Sequence, residues 1–127
     1  MRLSTLLALA SLGLVLLTTP VEAHHSTIDI YDDSQTVEIT GVVIQWRFVN
    51  PHPYLVVEVT GPEGETEAWD VSFGGSAASA LGRRGYSAET FKAGDVVIVR
   101  GNPARAQDAR GLLVQGGITR EDGTPIP

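Results

Sequence analysis

Residues 36–54, TVEITGVVIQWRFVNPHPY, limit the possible folds more than any other stretch of this chain. Val37 and Ile39 alternate with Glu38 and Thr40, which is the side-chain period of a strand with one buried face. After Gly41 the apolar residues change phase, to Val42, Ile44, Trp46 and Phe48. A one-residue slip turns every later side chain to the other face, so such a strand must take up an extra residue or bend. Glycine is the residue best suited to supply the bulge or coil, which points to Gly41. Asn50-Pro51-His52-Pro53 then stops the pairing, because neither proline has an N–H for a ladder bond. The pattern predicts one long, bent strand ending in a stiff turn that carries a histidine.

Upstream, residues 1–23 read as a Sec-type signal peptide. Arg2 supplies the positive start, residues 3–17 are almost wholly apolar, and Val21-Glu22-Ala23 fits the small-residue cleavage pattern. A retained membrane anchor would need about 20 apolar residues, more than this core holds. The mature chain is therefore expected to begin at His24, in the bacterial periplasm or outside the cell, with no membrane span after cleavage. Residues 24–35 form a polar leader with Ile28, Ile30 and Tyr31 as apolar anchors and a turn at Asp32-Asp33-Ser34. Residues 36–127 make one domain.

Within that domain, residues 54–60 (YLVVEVT) give a second strand, and Gly61-Pro62-Glu63-Gly64 turns it into a third at residues 67–73. There Trp69, Val71 and Phe73 are expected to face inward. A short helix capped by Ser76 runs to Arg83 or Arg84 and stops at Gly85. Residues 87–91 are read as a further helical turn. Residues 96–100 (VVIVR) lack alternation and suit a strand buried on both sides, ended by Asn102-Pro103. Residues 104–111 read as a loop and residues 112–119 as a last strand interrupted by Gly116-Gly117. A turn at Asp122-Gly123 follows, and Ile126 packs back. The prediction is all-β with one short helix, in the order β-β-β-α-β-β. With a coiled first strand, this is the order of a five-stranded OB-fold-like barrel.

Several motifs resemble those of a family of small exported bacterial proteins classed as a domain of unknown function. They are Ala23-His24-His25-Ser26, Trp46 with Asn50-Pro51-His52, Arg83-Arg84-Gly85-Tyr86, and Lys92-Ala93-Gly94-Asp95-Val96-Val97. Tyr86 stands where relatives usually carry tryptophan, and Ala93 where proline is common. The resemblance implies an exported OB-like barrel and brings no established activity.

Function must therefore be argued from side chains. The net charge of −6 disfavours nucleic acid, whose binding depends on neutralising phosphates. The chain has no cysteine, which removes disulfides and thiol chemistry alike. No serine sits in a GxSxG setting and no phosphate loop precedes a helix, so a non-catalytic binding module is expected.

The three histidines are His24, His25 and His52. A chain beginning with His24 offers two nitrogen donors from that residue. A second imidazole, from His52 or His25, would complete a three-nitrogen set that suits Cu(II). Zinc is less well served, with neither thiolate nor HxxxH spacing. The plain alternative is a solvated leader and a histidine that only bonds its own turn. Asp29, Asp32 and Asp33 lack the spacing of a calcium loop. Trp46 and Trp69 could face a ligand on the barrel surface, although their phase favours the core. Arg83 and Arg84 complement the helix dipole and could also grip an anionic ligand or a partner's carboxylate. The second expectation is thus a metal-free protein- or ligand-binding module.

Overall fold

In the computed structural model, residues 27–127 are described. The signal peptide, His24 and His25 lie outside them. The long strand is present as β1 (Val37–Arg47). Val37, Ile39, Gly41 and Val43 hold one inward phase, and Trp46 and Phe48 resume it one residue late. The extra residue is Ile44: Val43 pairs with Val57 and Gln45 with Val56, leaving Ile44 unpaired in a bulge. Val42 and Ile44 are consequently 38% and 45% exposed. The expected phase change is real, but it occurs at Ile44 and not at Gly41.

Gly41 has a different task. It pairs with Val97, at the point where β1 passes from pairing with the strand Val96–Pro103 to pairing with the strand Tyr54–Thr60. A Cβ at Gly41 would collide with the Glu58 carbonyl oxygen and lie 2.6 Å from Val57 Cγ1. The missing side chain thus lets the second strand cross close over the first, which coils the sheet.

The remaining strands are β2 (Tyr54–Thr60), β3 (Thr66–Ser72), β4 (Val96–Pro103), β5 (Gly111–Arg120) and a short β6 (Pro125–Ile126). They lie in the order β3-β2-β1-β4-β5-β6, and a parallel pairing of β3 with β5 closes the ring. The ring closes through Asp70, Val71 and Ser72 opposite Gly111, Leu112 and Leu113. A closed five-stranded barrel with its helix between β3 and β4 is the OB-like architecture expected from the element order.

The core is what the alternation of each strand delivers to the barrel axis. Leu55, Val57, Val97, Val99 and Leu112 have no exposed surface, and Val43, Val71 and Ile118 are 1% exposed. Burying each such aliphatic side chain is worth about 1.5–3 kcal/mol, the main force holding a chain without crosslinks. On β4, however, Val96 and Ile98 are only half-buried. That strand has one buried face, not two, and it runs on through Asn102 and Pro103.

The helix is α2 (Ala78–Arg83), preceded in the leader by a four-residue turn of helix, α1 (Thr27–Ile30). Ser76 does not cap α2: the N-cap is Ala77, with no side-chain cap bond. Instead the Ser79 N–H donates to Asn50 Oδ1 at 3.4 Å, so the turn after β1 reaches the first turn of the helix. Leu81, with no exposed surface, plugs that end of the barrel. Residues 87–91 form a turn and not a helix, closed by Ser87 N–H to Thr90 Oγ1 at 2.7 Å. Ile126 is buried, as expected.

The described part of the leader, from Thr27 on, is tied down more firmly than its polarity suggested. Tyr31 bridges to Ala104, Asp32 N–H donates to the Pro103 carbonyl, and Arg105 N–H donates to the Ile30 carbonyl. Asp32 accepts from the Ser34 hydroxyl at 2.6 Å and from its backbone N–H, which holds the carboxyl below its usual range. Arg105 lies 3.5 Å from Asp32 and 3.3 Å from Asp33, so the leader's acids tie it to the loop after β4. No described helix is long and apolar enough to cross a membrane.

Candidate functional site

Pro53 is the residue that points His52 outward. It is buried at the start of β2, so the alternation of the strand leaves His52 and Tyr54 exposed on either side of it. The peptide between Asn50 and Pro51 is cis. Opposite, Ser72 pairs with Tyr54 and Asp70 with Val56, which places Asp70 and Ser72 on the same outer face. His52, Tyr54, Asp70, Ser72 and Gly74 line an open hollow of about 350 Å³ floored by Pro53 and Val71. An imidazole, a phenol, a carboxylate and a hydroxyl thus meet where the loop between the first two strands borders the β2–β3 face. That loop and face are where OB-folds generally take their ligands.

Among the described residues, no three histidine, aspartate or glutamate side chains cluster closely enough to hold a metal ion. The first described residue, Thr27, lines a small neighbouring cavity with Leu113 and Gln115. Leu113 in turn pairs with Ser72, on the rim of the His52 hollow.

The two tryptophans are placed differently from each other. Trp46 sits in an aromatic cluster, with ring centroids 5.0 Å from Phe91, 5.6 Å from Phe73 and 5.8 Å from Phe48. Its Nε1–H donates to the Ser87 carbonyl at 2.9 Å. These bonds make it a structural keystone between β1 and the segment that follows α2. Trp69 packs against the core from β3, with the Arg110 guanidinium 6.0 Å from its ring centroid. Its Nε1–H is buried with no partner among the described residues, a donor of the kind that an internal water usually satisfies.

Arg110 also makes a two-pronged bond to Glu67, at 2.6 and 2.8 Å, and its carbonyl accepts from Asp70 N–H. This clamp holds the loop between β4 and β5 against β3, directly beside the hollow. Hydrogen bonding and charge from Arg110 hold the Glu67 carboxyl below its ordinary value of 4.5. A depressed folded-state pKa stabilises above the unfolded value and ceases to do so as pH falls through the folded one. Glu67→Gln should therefore lower the urea midpoint modestly at pH 7, and the gap to the parent should close as pH drops below 4.5. A gap of constant size down to about pH 2.5 would show that the clamp is not electrostatic.

Arg83 and Arg84 separate. The Arg83 guanidinium donates to the Ser79 carbonyl one turn back at 3.2 Å, whereas that of Arg84 lies over the Tyr86 ring, 5.9 Å from its centroid. Sequence reasoning missed Tyr54, Asp70 and Ser72 as neighbours of His52. The exposed alternation of residues 70 and 72 was legible, but their register against residues 54 and 56 was not.

Compared with known proteins, the chain has no match among curated proteins. A family model does match residues 11–115: Family of unknown function (DUF6152). The motifs from Ala23 to Val97 that suggested such a family all fall inside the matched region.

Proposed function

We propose, for a chain that belongs to the family of unknown function DUF6152, that it is an exported, non-catalytic binding module whose site is the His52 hollow. Its ligand is Cu(II), taken by the amine and imidazole of a mature N-terminal His24 together with His52, or with His25 in its place. One observation carries this reading: an exposed imidazole is held at the ligand-taking edge of the barrel, next to where the leader arrives. From Thr27 back to His24 the chain reaches at most about 10 Å, so the reading requires the His52 ring to lie about that far from Thr27. Nitrogen donors in a cysteine-free, exported chain are the chemistry Cu(II) prefers. Export rests on the signal-peptide pattern of residues 1–23, and N-terminal sequencing of the mature protein should read His24-His25-Ser26.

The test turns on processing. Protein cleaved to begin at His24 should bind Cu(II) in a 1:1 complex by calorimetry and give a nitrogen-rich EPR spectrum. An added N-terminal methionine should weaken binding by roughly 100-fold or more, about 2.7 kcal/mol. Equal affinity in the two forms, or none in either, would sink the copper reading. Hydrolysis of an activated ester above the buffer rate, lost in His52→Ala, would overturn the non-catalytic part.

A metal-free reading is favoured by Tyr54, which is 38% exposed and lines the same hollow. An aromatic ring between polar neighbours suits an organic ligand or a partner's side chain better than an ion. A specific partner retained after His24, His25 and His52 all become alanine would select this second reading.

A further inference from the structure

The outer face of the barrel carries an apolar stripe that the core does not use. Val42 and Ile44 on β1 are 38% and 45% exposed, and Tyr54 on β2 is 38% exposed. Val56, Val96 and Ile98 join them, each half-buried. Register makes the six contiguous: Val96 stands opposite Val42, Ile98 opposite Thr40, Val56 opposite Gln45 at the bulge, and Tyr54 opposite Arg47. Apolar side chains grouped in this way inside a polar rim mark an interaction site, where scattered ones do not. The rim is polarised as well. Arg47 borders the stripe at one end and Glu58, opposite Val42, borders it at the other. Along the strands these two are about 13 Å apart, too far for a cross-strand pair. Both are exposed, and neither makes an ion pair among the described residues.

We propose that a second copy of this chain covers the stripe, in a symmetric dimer with Ile44 packed on Ile44 of the other copy and each Arg47 paired with the other's Glu58. A two-fold interface uses one patch twice, so the patch must complement itself. This one does. With the axis between the two faces, perpendicular to β1 at Ile44, strand direction reverses from one copy to the other. The Arg47 end of each copy then comes over the Val42 and Glu58 end of its mate. The arginine stem covers Val42 while its guanidinium meets the carboxylate, and symmetry forms the pair twice. A partner of another sequence gives no reason for an unpaired cation and an unpaired anion to stand at opposite ends of one stripe. At physiological ionic strength the charge of −6 on each copy is screened beyond about 8 Å, so the local pairs set the register. Tyr54 is where the stripe borders the His52 hollow, whose Asp70 and Ser72 lie on β3.

The proposal is independent of copper, and the test keeps the two apart. An interface this small should give a dimer with a Kd on the order of 10–100 µM. Sedimentation equilibrium of the full mature chain, with EDTA present to exclude bridging by a metal, should show the mass rising from one chain towards two across that range. Ile44→Asp sets like charges against each other on the axis and should weaken association about tenfold or more. Arg47→Glu and Glu58→Arg should each weaken it as well, by placing like charges together at both ends. Combining the two should restore the dimer, because the swap rebuilds both pairs between copies and none within one. Circular dichroism verifies that each variant is folded. His52→Ala should dimerise like the parent. A parent that stays monomeric would leave the stripe to a different occupant and overturn the proposal. An Ile44→Asp chain that associates like the parent, a charge swap no better than the single reversals, or loss of the dimer in His52→Ala would overturn it too.

Discussion

Val43→Ala should lower the unfolding free energy by about 2–3 kcal/mol, while Ile44→Ala, the larger truncation, should cost less than about 0.5 kcal/mol. Val43 is 1% exposed and Ile44 45% exposed on adjacent positions of one strand. Alternation along β1 turns Val43 inward and Ile44 outward, and the bulge between Val43 and Gln45 then brings Trp46, not Gln45, back toward the core. Val43 is further fixed by its backbone, with its N–H donating to the Asp95 carbonyl at 2.8 Å and its carbonyl accepting from Gly94 N–H. The cavity left by truncation therefore cannot collapse through a strand shift, and the penalty includes a cavity contribution beyond the lost transfer energy. Urea unfolding of the two variants at one pH measures both. A larger loss in Ile44→Ala than in Val43→Ala would place the phase change at Gly41 after all.

Gly41→Ala is the second substitution with a large expected cost, about 1–3 kcal/mol, and Gly41→Val should be worse. The colliding atoms are the Glu58 backbone and the branched Val57 side chain, itself fully buried, so neither can swing aside. At the size of this domain each kcal/mol corresponds to roughly 4–8 °C in Tm. Gly75→Ala is the matched control: nothing lies within 4 Å of its added Cβ, and its Tm should stay within about 2 °C of the parent. If Gly41→Ala melts with the parent, β2 does not cross where the structure places it.

These two residues also show why the fold was largely legible in the sequence and its details were not. Order and type of the strands follow from alternation broken by Gly, Pro and Asp turns, and those signals are local. The position of the phase change is different, because Val42 and Val43 are both apolar and β-branched, and either could have been the inward residue. Pairing with Val57 decides it, and no local signal records that pairing. The evenly apolar Val96, Val97, Ile98 and Val99 hid an alternation for the same reason. At the site, His52 stood out through its prolines, and Trp46 through its in-phase position. Asp70 and Ser72 become neighbours of His52 only through the β2–β3 register. The separation of Arg83 from Arg84 depends on the direction of each side chain, which their adjacency in sequence conceals.

The parallel seam between β3 and β5 has a kinetic consequence. Asp70 must meet Gly111, and Val37 must meet Gly101, before the ring is shut. Contacts this distant in sequence make for slow assembly, on the order of milliseconds to seconds. The seam also needs β5, which follows β1 to β4 in chain order. Until Gly111–Arg120 emerges, a growing chain can offer only an open sheet whose β3 edge lacks its neighbour. The barrel is therefore completed only when β5 joins β3, and before that the exposed edge is the place where a second extended chain could pair in error.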